Sequence, residues 1–345
     1  MTDRPSVSVV IPCRNEGDFI APCLDSILAN DYPRERLEVL VVDGMSDDGT
    51  RETIRRYARE HPWIRLLDNP RRITPCALNV GVAVARGGVI MRMDAHTNYP
   101  PHYIARLVEW LEESGADNVG AACVTLPANG TVRARAIAAA LAHPFGVGNA
   151  YFRIGTTEPR WVDTVPFGCY RREVFDRIGP FDEELVRNQD DELNTRLLRA
   201  GGRILLVPNV TSSYYARDSF AKLWRMYYQY GYYKPLVVRK VRGVFTARQL
   251  VPAMFVLAVA AAGAAAPWSA SARLALAGVL GAYGAAAAVA AGTAAVRRGA
   301  ALWPALVAAF AILHVAYGVG FLRGVADFWV ARRPRSRQAE VALSR

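Results

Sequence analysis

Apolar residues in the first 210 positions fall into short runs that alternate with stretches of helical spacing. Residues 6–12 (SVSVVIP) form a β-branched run ending at a proline, the mark of a buried strand. In 16–30, Ile20, Leu24, Ile27 and Leu28 recur at helical intervals. Residues 38–42 predict a second strand, and Ser46-Asp47-Asp48-Gly49-Thr50 then offers several N-caps for a helix through Arg59. A strand at 64–67 follows, then a helix opened by Thr74-Pro75 and ended at Arg86 before Gly87. A strand at 89–93, a helix at 100–114 stopped by Gly115 and a strand at 119–124 complete the regular part. Beyond it come an extended segment with a turn at 164–170, a short helix at 174–178 before Gly179-Pro180, a helix at 190–200 and a strand at 203–207.

Alternating strands and helices predict an α/β fold, a mostly parallel sheet with helices on both faces. Such sheets bind ligands outside the carboxyl ends of their strands. Just past those predicted ends lie Arg14-Asn15-Glu16, Asp43-Gly44 and Asp94-Ala95-His96. Taken alone, Asp94 and His96 are a strand-end acid and an ordinary histidine. Three polar groups at one sheet edge make them a candidate site.

After residue 245 the pattern changes to long, almost uncharged runs rich in Ala and Gly. Residues 250–268, 274–296 and 302–322 are each long enough to cross a hydrocarbon core, which takes about 20 residues. Small residues suit close helix packing there. The domains expected are 1–217, a soluble catalytic domain; 218–248, an amphipathic helix and basic linker; 249–323, two to four membrane crossings; and 324–345, a basic tail. In 218–234, Phe220, Leu223, Trp224 and Tyr227 share one side, which fits either a membrane interface or a helix packed on a core. Arg239, Lys240, Arg242 and Arg248 place the soluble part on the cytoplasmic side of an inner membrane. Arg297-Arg298 then also lie inside. A third crossing would put Arg332, Arg333, Arg335 and Arg337 outside, against the positive-inside tendency, so that span is either re-entrant or interfacial, or the tail is an exception. His314, within the third run, is either functional or bonded inside a helix bundle.

Composition adds three constraints to this picture. The 345 residues carry a net charge of +11, and the arginines cluster beside the apolar runs, which favours anionic lipid over nucleic acid. The five cysteines make no CxxC pair, so they read as separate buried thiols of a reducing compartment. The first residues lack the charged-then-apolar pattern of a signal peptide.

The sheet edge suits a nucleotide-diphosphate sugar. Asp43 can accept from a base or ribose, and Asp94 with His96 can hold Mg²⁺ or Mn²⁺ against the diphosphate. Such a metal neutralises the departing diphosphate. An acceptor hydroxyl needs a general base, and the acids of 188–192 (NQDDE) at a helix start supply one. Glu192 and Arg196 are four apart and can equally pair along the helix.

VVIPCRNE (9–16), VVDGMSDDGT (41–50), ALNVGVAVARG (77–87), MDAHT (93–97) and the series from FGCYRREVF through NQDDELNTRLLRAGGRI (167–204) together resemble a family 2 glycosyltransferase of the GT-A fold. With the C-terminal spans, the chain is most similar to the succinoglycan-biosynthesis glucosyltransferases of bacterial exopolysaccharide assembly. The resemblance implies inverting transfer from a nucleotide sugar, often UDP-glucose. It puts Pro12, Arg14, Glu16, Asp43 and Asp94 at the nucleotide sugar, Asp94 and His96 at the metal and Asp190 as base. MDAHT holds an Asp-x-His form of the family's Asp-x-Asp motif. Gln189 stands where the family usually has glutamate, and Gln189 and Asp191 fall on the acceptor side. The Gln-x-x-Arg-Trp motif of processive synthases is absent, although Gln229-Tyr230-Gly231 occupies similar ground, which implies one sugar per acceptor. A lipid-linked saccharide acceptor suits a membrane anchor.

The competing reading is a nonenzymatic membrane protein that only binds a nucleotide sugar or a partner. A Rossmann oxidoreductase lacks its Gly-x-Gly-x-x-Gly turn here. A transporter would need more spans and paired intramembrane charges.

Overall fold

A computed structural model of the chain describes residues 4–243 and 245–331. In chain order the regular part runs β1 (Val7–Cys13), α1 (Ile20–Leu28), β2 (Leu37–Asp43), α2 (Thr50–Glu60), β3 (Ile64–Asp68), α3 (Thr74–Val84), β4 (Val89–Arg92), β5 (Thr97–Asn98), α4 (Tyr103–Ser114) and β6 (Asn118–Leu126). Three short helices follow, α5 (Val132–Leu141), α6 (Pro144–Val147) and α7 (Tyr151–Ile154). Then come β7 (Arg160–Trp161), β8 (Cys169–Arg171), α8 (Arg172–Ile178), α9 (Gln189–Arg199) and β9 (Ile204–Tyr215). The chain closes with α10 (Phe220–Lys240), α11 (Ala247–Ala265), α12 (Ala270–Arg298) and α13 (Trp303–Val325).

The strands make one sheet in the order β3-β2-β1-β4-β8-β6-β9-β5, with β7 beside β9. β3, β2, β1 and β4 are parallel, and β8 joins β4 antiparallel. The order reverses at β1, so the β1–β4 crevice is the place where a sheet of this kind takes ligands. Both faces are covered. Val9 and Ile11 share a core with Ile20, Leu24 and Ile27 of α1 and Leu107 and Leu111 of α4. Val10 points the other way and meets α3 at Gly81, where a Cβ would come within 2.3 Å of Val10 Cγ1.

The chain divides into two compact units. One holds the chain up to residue 124 together with 155–214, and the other holds 125–154 together with the chain from 215. Residues 125–154 thus belong with the C-terminal helices, a long-range pairing that the 1–217 division in sequence does not anticipate.

Several element ends differ from expectation, each for a local reason. α1 starts at Ile20 rather than Glu16, because the 14–17 loop is tied sideways to the loop after β2. Thr74 is the first helical residue of α3 and not its cap. That helix ends at Val84, because the backbone turns extended at Ala85 and the N–H groups of Arg86 and Gly87 go to Ser8 and Glu38. β9 runs to Tyr215, well past Val207, and its far end pairs with β5 at Ser213 and Tyr214.

In the second unit, three helices are long and apolar enough to cross a membrane. α10 is longer than the expected 218–234 and buries Leu223, Met226, Tyr227 and the run 231–238. Its buried face lies on α13, so the packed alternative describes that face, while Trp224 stays exposed. Gln229 is buried and Gly231 sits at the crossing with α13, so this triplet belongs to helix packing. His314 Nε2 bonds the Phe145 carbonyl at 2.8 Å, and Nδ1 bonds Tyr283 Oη at 2.9 Å. A carbonyl only accepts, so Nε2 carries the proton, Nδ1 accepts from the tyrosine, and His314 is satisfied within the bundle. The arginines at 332–337 lie outside the described residues.

Candidate active site

The predicted residues after β1, β2 and β4 converge because those strands are neighbours in register. Cys13 pairs with Asp43, and Val10 pairs with Arg92. The loop after β1 is laced to the loop after β2. The Asn15 N–H donates to Ser46 Oγ at 2.8 Å, the Glu16 N–H to Thr50 Oγ1 at 2.9 Å, and the Gly17 N–H to Asp48 Oδ2 at 3.0 Å. Pro12 is half-buried, Arg14 is exposed and Glu16 is buried.

Asp43 is fully buried at the end of β2. Its carboxylate accepts from the Ser46 N–H at 2.9 Å, the Ser46 hydroxyl and Arg51 Nη1 at 2.6 Å. Arg51, one turn into α2, also holds Asp68 at 2.7 Å and so ties the ends of β2 and β3 together. Burial and then the Asp43 charge push the Cys13 thiol up, so it stays protonated. All five cysteines are free and buried.

Asp94 and His96 lie just past β4. The Asp94 N–H donates to Tyr99 Oη at 2.7 Å, and Cys23 Sγ reaches its carbonyl at 3.5 Å, so the backbone is held from two sides. His96 Nε2 stands 4.0 Å from Asp94 Oδ2, and its Nδ1 stands 3.9 Å from Glu16 Oε1. The imidazole also packs edge-on against Tyr214 at 5.8 Å. The expected pair therefore does converge, and Glu16 sits behind the ring.

Asp190 stands in the first turn of α9, whose N-cap, Asn188, has left-handed backbone. The helix is fixed by Asn194, which accepts from Asn118 Nδ2 at 2.9 Å and donates to Thr164 Oγ1 at 2.9 Å and the Val165 carbonyl at 3.0 Å. Glu192 grips Arg196 through two bonds, at 2.6 and 2.9 Å, and Arg196 also donates to the carbonyls of Ile178 and Pro180. That acid is structural, as the spacing allows. Gln189 is buried, and Asp191 is half-buried on the next position.

The residue that joins these parts is Arg92, which sequence reasoning passes over. It ends β4, two positions before Asp94, so both side chains point to one side. Arg92 Nη2 bonds Asp94 Oδ1 at 2.9 Å, and Nη1 bonds Asp190 Oδ2. The guanidinium is only 6% exposed and lies over the Phe167 ring at 5.3 Å. Burial works against its charge, but Asp190 and then Asp94 outweigh that and hold it protonated. Burial raises the Asp190 carboxyl above the ordinary aspartate value, while Arg92 pulls it back down. Asp190 Oδ1 is buried without a hydrogen-bond partner among the described residues. The one available signal was a cation inside the buried run VIMRMD.

The donor atoms fit a divalent ion in part. Asp94 Oδ2 is not used by Arg92 and stands 4.0 Å from His96 Nε2, so the two would offer an oxygen and a nitrogen ligand to a divalent ion. Among the described residues no three His, Cys, Asp or Glu are grouped to hold an ion alone. A diphosphate would have to complete the shell.

Residues 8–179 match the model of the glycosyl transferase family 2. The chain is 35% identical over 246 residues to the succinoglycan biosynthesis protein ExoA of Rhizobium meliloti (strain 1021), covering 71% of this chain and 73% of that protein. The chain belongs to glycosyltransferase family 2. Another relative of this transferase, 28% identical over 71% of the chain and 77% of the other protein, is a Methanococcus voltae enzyme. Its name is dolichyl N-acetyl-alpha-D-glucosaminyl phosphate 3-beta-D-2,3-diacetamido-2,3-dideoxy-beta-D-glucuronosyltransferase. Among solved structures, the mannosyltransferase PcManGT from Pyrobaculum calidifontis, in complex with GDP-Man and Mn2+, superposes with a TM-score of 0.59. It is 26% identical, with 93% of this chain and 88% of that one covered. The fold is accordingly a GT-A-like α/β sheet with three long apolar helices after it.

Proposed function

We propose that this family 2 glycosyltransferase is a membrane-anchored, inverting enzyme. It moves one sugar from a nucleotide-diphosphate donor, UDP-glucose by preference, to a lipid-linked saccharide acceptor in bacterial polysaccharide assembly. The observation that carries the reading is the Arg92 bridge. It sets the acid beside the candidate metal position, Asp94, and the candidate base, Asp190, on two ends of one buried guanidinium. A binding module has no use for a second carboxylate held there.

In this reading the nucleotide lies over Pro12, Arg14, Glu16 and Asp43, and the diphosphate lies at Asp94. Asp94 and His96 hold Mn²⁺ or Mg²⁺, which when bound offsets the negative charge of the leaving diphosphate. Asp190 accepts the proton of the acceptor hydroxyl through its unpartnered Oδ1 as the hydroxyl oxygen bonds the anomeric carbon and the bond from that carbon to the diphosphate breaks. Gln189 and Asp191 flank the acceptor. The likeness to ExoA supports the exopolysaccharide role. The GDP-Man and Mn2+ of the mannosyltransferase structure support a nucleotide-sugar donor and a metal. The basic residues 239–248 support a cytoplasmic catalytic domain.

Isothermal titration of the purified protein with a panel of nucleotide sugars, with and without Mn²⁺ or Mg²⁺, tests the reading. One donor should bind in a metal-dependent way. Folded protein that binds none of them contradicts it.

A further inference from the structure

α10 and α13 run side by side in the same direction, and two successive glycines of α13 meet α10 at one offset. A Cβ on Gly320 would meet the Tyr228 carbonyl at 2.1 Å, and one on Gly324 would meet the Tyr232 carbonyl at 2.2 Å. Further on, Tyr232 bonds Asp327 at 3.1 Å and Trp329 donates to the Pro235 carbonyl at 3.0 Å. This register puts Lys222 level with His314 and Arg225 level with Tyr317, the middle of the third apolar run. Both cations are exposed. If α13 crossed a bilayer, they would sit at the depth where charge is most costly.

The contacts with the hairpin agree. α13 meets only the first half of α11 and the residues before it, with Gly318 against Pro252 and Val256 and Phe321 against Phe245 at 5.0 Å. Past Val256 on α11 and Tyr283 on α12, which meet Gly318 and His314 of α13, the hairpin is largely bare. Leu257, Leu274 and Leu280 are exposed, and the buried positions of α12 begin only at Ala287. α11 is 19 residues long, which at 1.5 Å per residue is roughly 28 Å, about one hydrocarbon thickness. The tryptophans also divide. Trp268 lies at the hairpin tip, beside Arg273, whereas Trp224, Trp303 and Trp329 are exposed on α10 and at the two ends of α13. Exposed tryptophan favours the membrane–water interface.

We infer that only the α11–α12 hairpin crosses the bilayer, and that α13 lies flat in the interface at the hairpin's base, with both of its ends on one side. The lipid headgroup layer is the partner of the exposed positions of α10 and α13, among them Lys222, Arg225 and the three tryptophans. The inference rests on the membrane anchor of the proposed function and on none of its chemistry, so a failed transfer assay leaves it standing.

Single cysteines at exposed positions test it: Ala270→Cys at the tip, Ala300→Cys before α13 and Ala331→Cys after it. The five native thiols are buried, so background is low. Each full-length variant is treated with a membrane-impermeant maleimide in right-side-out and in inverted vesicles. Ala300→Cys and Ala331→Cys should label in the same vesicles, and Ala270→Cys only in the opposite ones. If Ala331→Cys labels with Ala270→Cys, α13 crosses and the inference fails. If all three label from one side, the hairpin does not cross and it fails as well.

Discussion

Arg92 makes two opposed demands on the site. Its charge is buried, so removing it leaves Asp190 and Asp94 uncompensated, and breaking a buried pair this way costs about 3–5 kcal/mol. Arg92→Gln should therefore lower the thermal midpoint and also cut turnover, whereas Arg92→Lys should restore charge without the two-pronged geometry. Arg92→Lys that recovers stability but not turnover would assign the guanidinium fork to positioning. Full recovery of both would reduce Arg92 to a counter-charge. His96 is a separable test. His96→Ala should weaken metal-dependent donor binding by roughly tenfold, on the scale of altered metal shells, while metal-free donor binding stays constant. Unchanged metal dependence would return His96 to an ordinary histidine packed on Tyr214. The sequence exposes Asp43, Asp94, His96 and Asp190 because acids past strand ends and at helix starts are visible in one dimension. Arg92 and Arg51 escape it, since Asp190 and Asp43, the partners that bring them into the site, lie 98 and 8 positions away.

At the scale of elements, the site depends on how firmly its loops are tied to the sheet. Asn79 of α3 donates to the Phe181 carbonyl at 2.9 Å and to Glu183 at 3.0 Å, and accepts from the Phe181 N–H at 2.9 Å. The Asn79 bond, and after it the Arg71 charge, hold the Glu183 carboxyl below its ordinary value. A depressed folded value adds stability that is present above the unfolded value and lost as pH falls through the folded one. Asn79→Ala should thus destabilise by about 1–2 kcal/mol near neutral pH, and the gap should narrow in acid. A denaturation series against pH measures it, and a gap that widens in acid would contradict the sign. Strand and helix positions of the first unit are legible from periodicity because its parallel strands are short, mostly apolar and separated by helices with one apolar side. The α10–α13 crossing is not legible. It depends on Gly231, Gly320 and Gly324 allowing two backbones to touch, and an apolar run with glycines reads the same whether it faces lipid or another helix.

For the whole molecule, the question is what the bare hairpin is for. Leu257 and Leu280 lie midway along α11 and α12 and are exposed. An arginine at each should cost insertion about 2.5–3.5 kcal/mol apiece. Leu257→Arg with Leu280→Arg should therefore shift the protein from the membrane to the soluble fraction on cell fractionation. Retention at wild-type levels would move the anchor to α10 and α13. In the proposed metal-dependent sugar transfer, Asp190 draws the proton. The most direct measurement supplies purified full-length protein with labelled nucleotide sugars, a bacterial lipid extract and Mn²⁺ or Mg²⁺, and follows label into the lipid fraction for wild type and Asp190→Asn. One donor should label lipid only with metal. Asp190→Asn should lose about 10²–10⁴-fold in rate, the usual worth of a general base, while binding that donor normally. Transfer by Asp190→Asn at the wild-type rate would contradict the account.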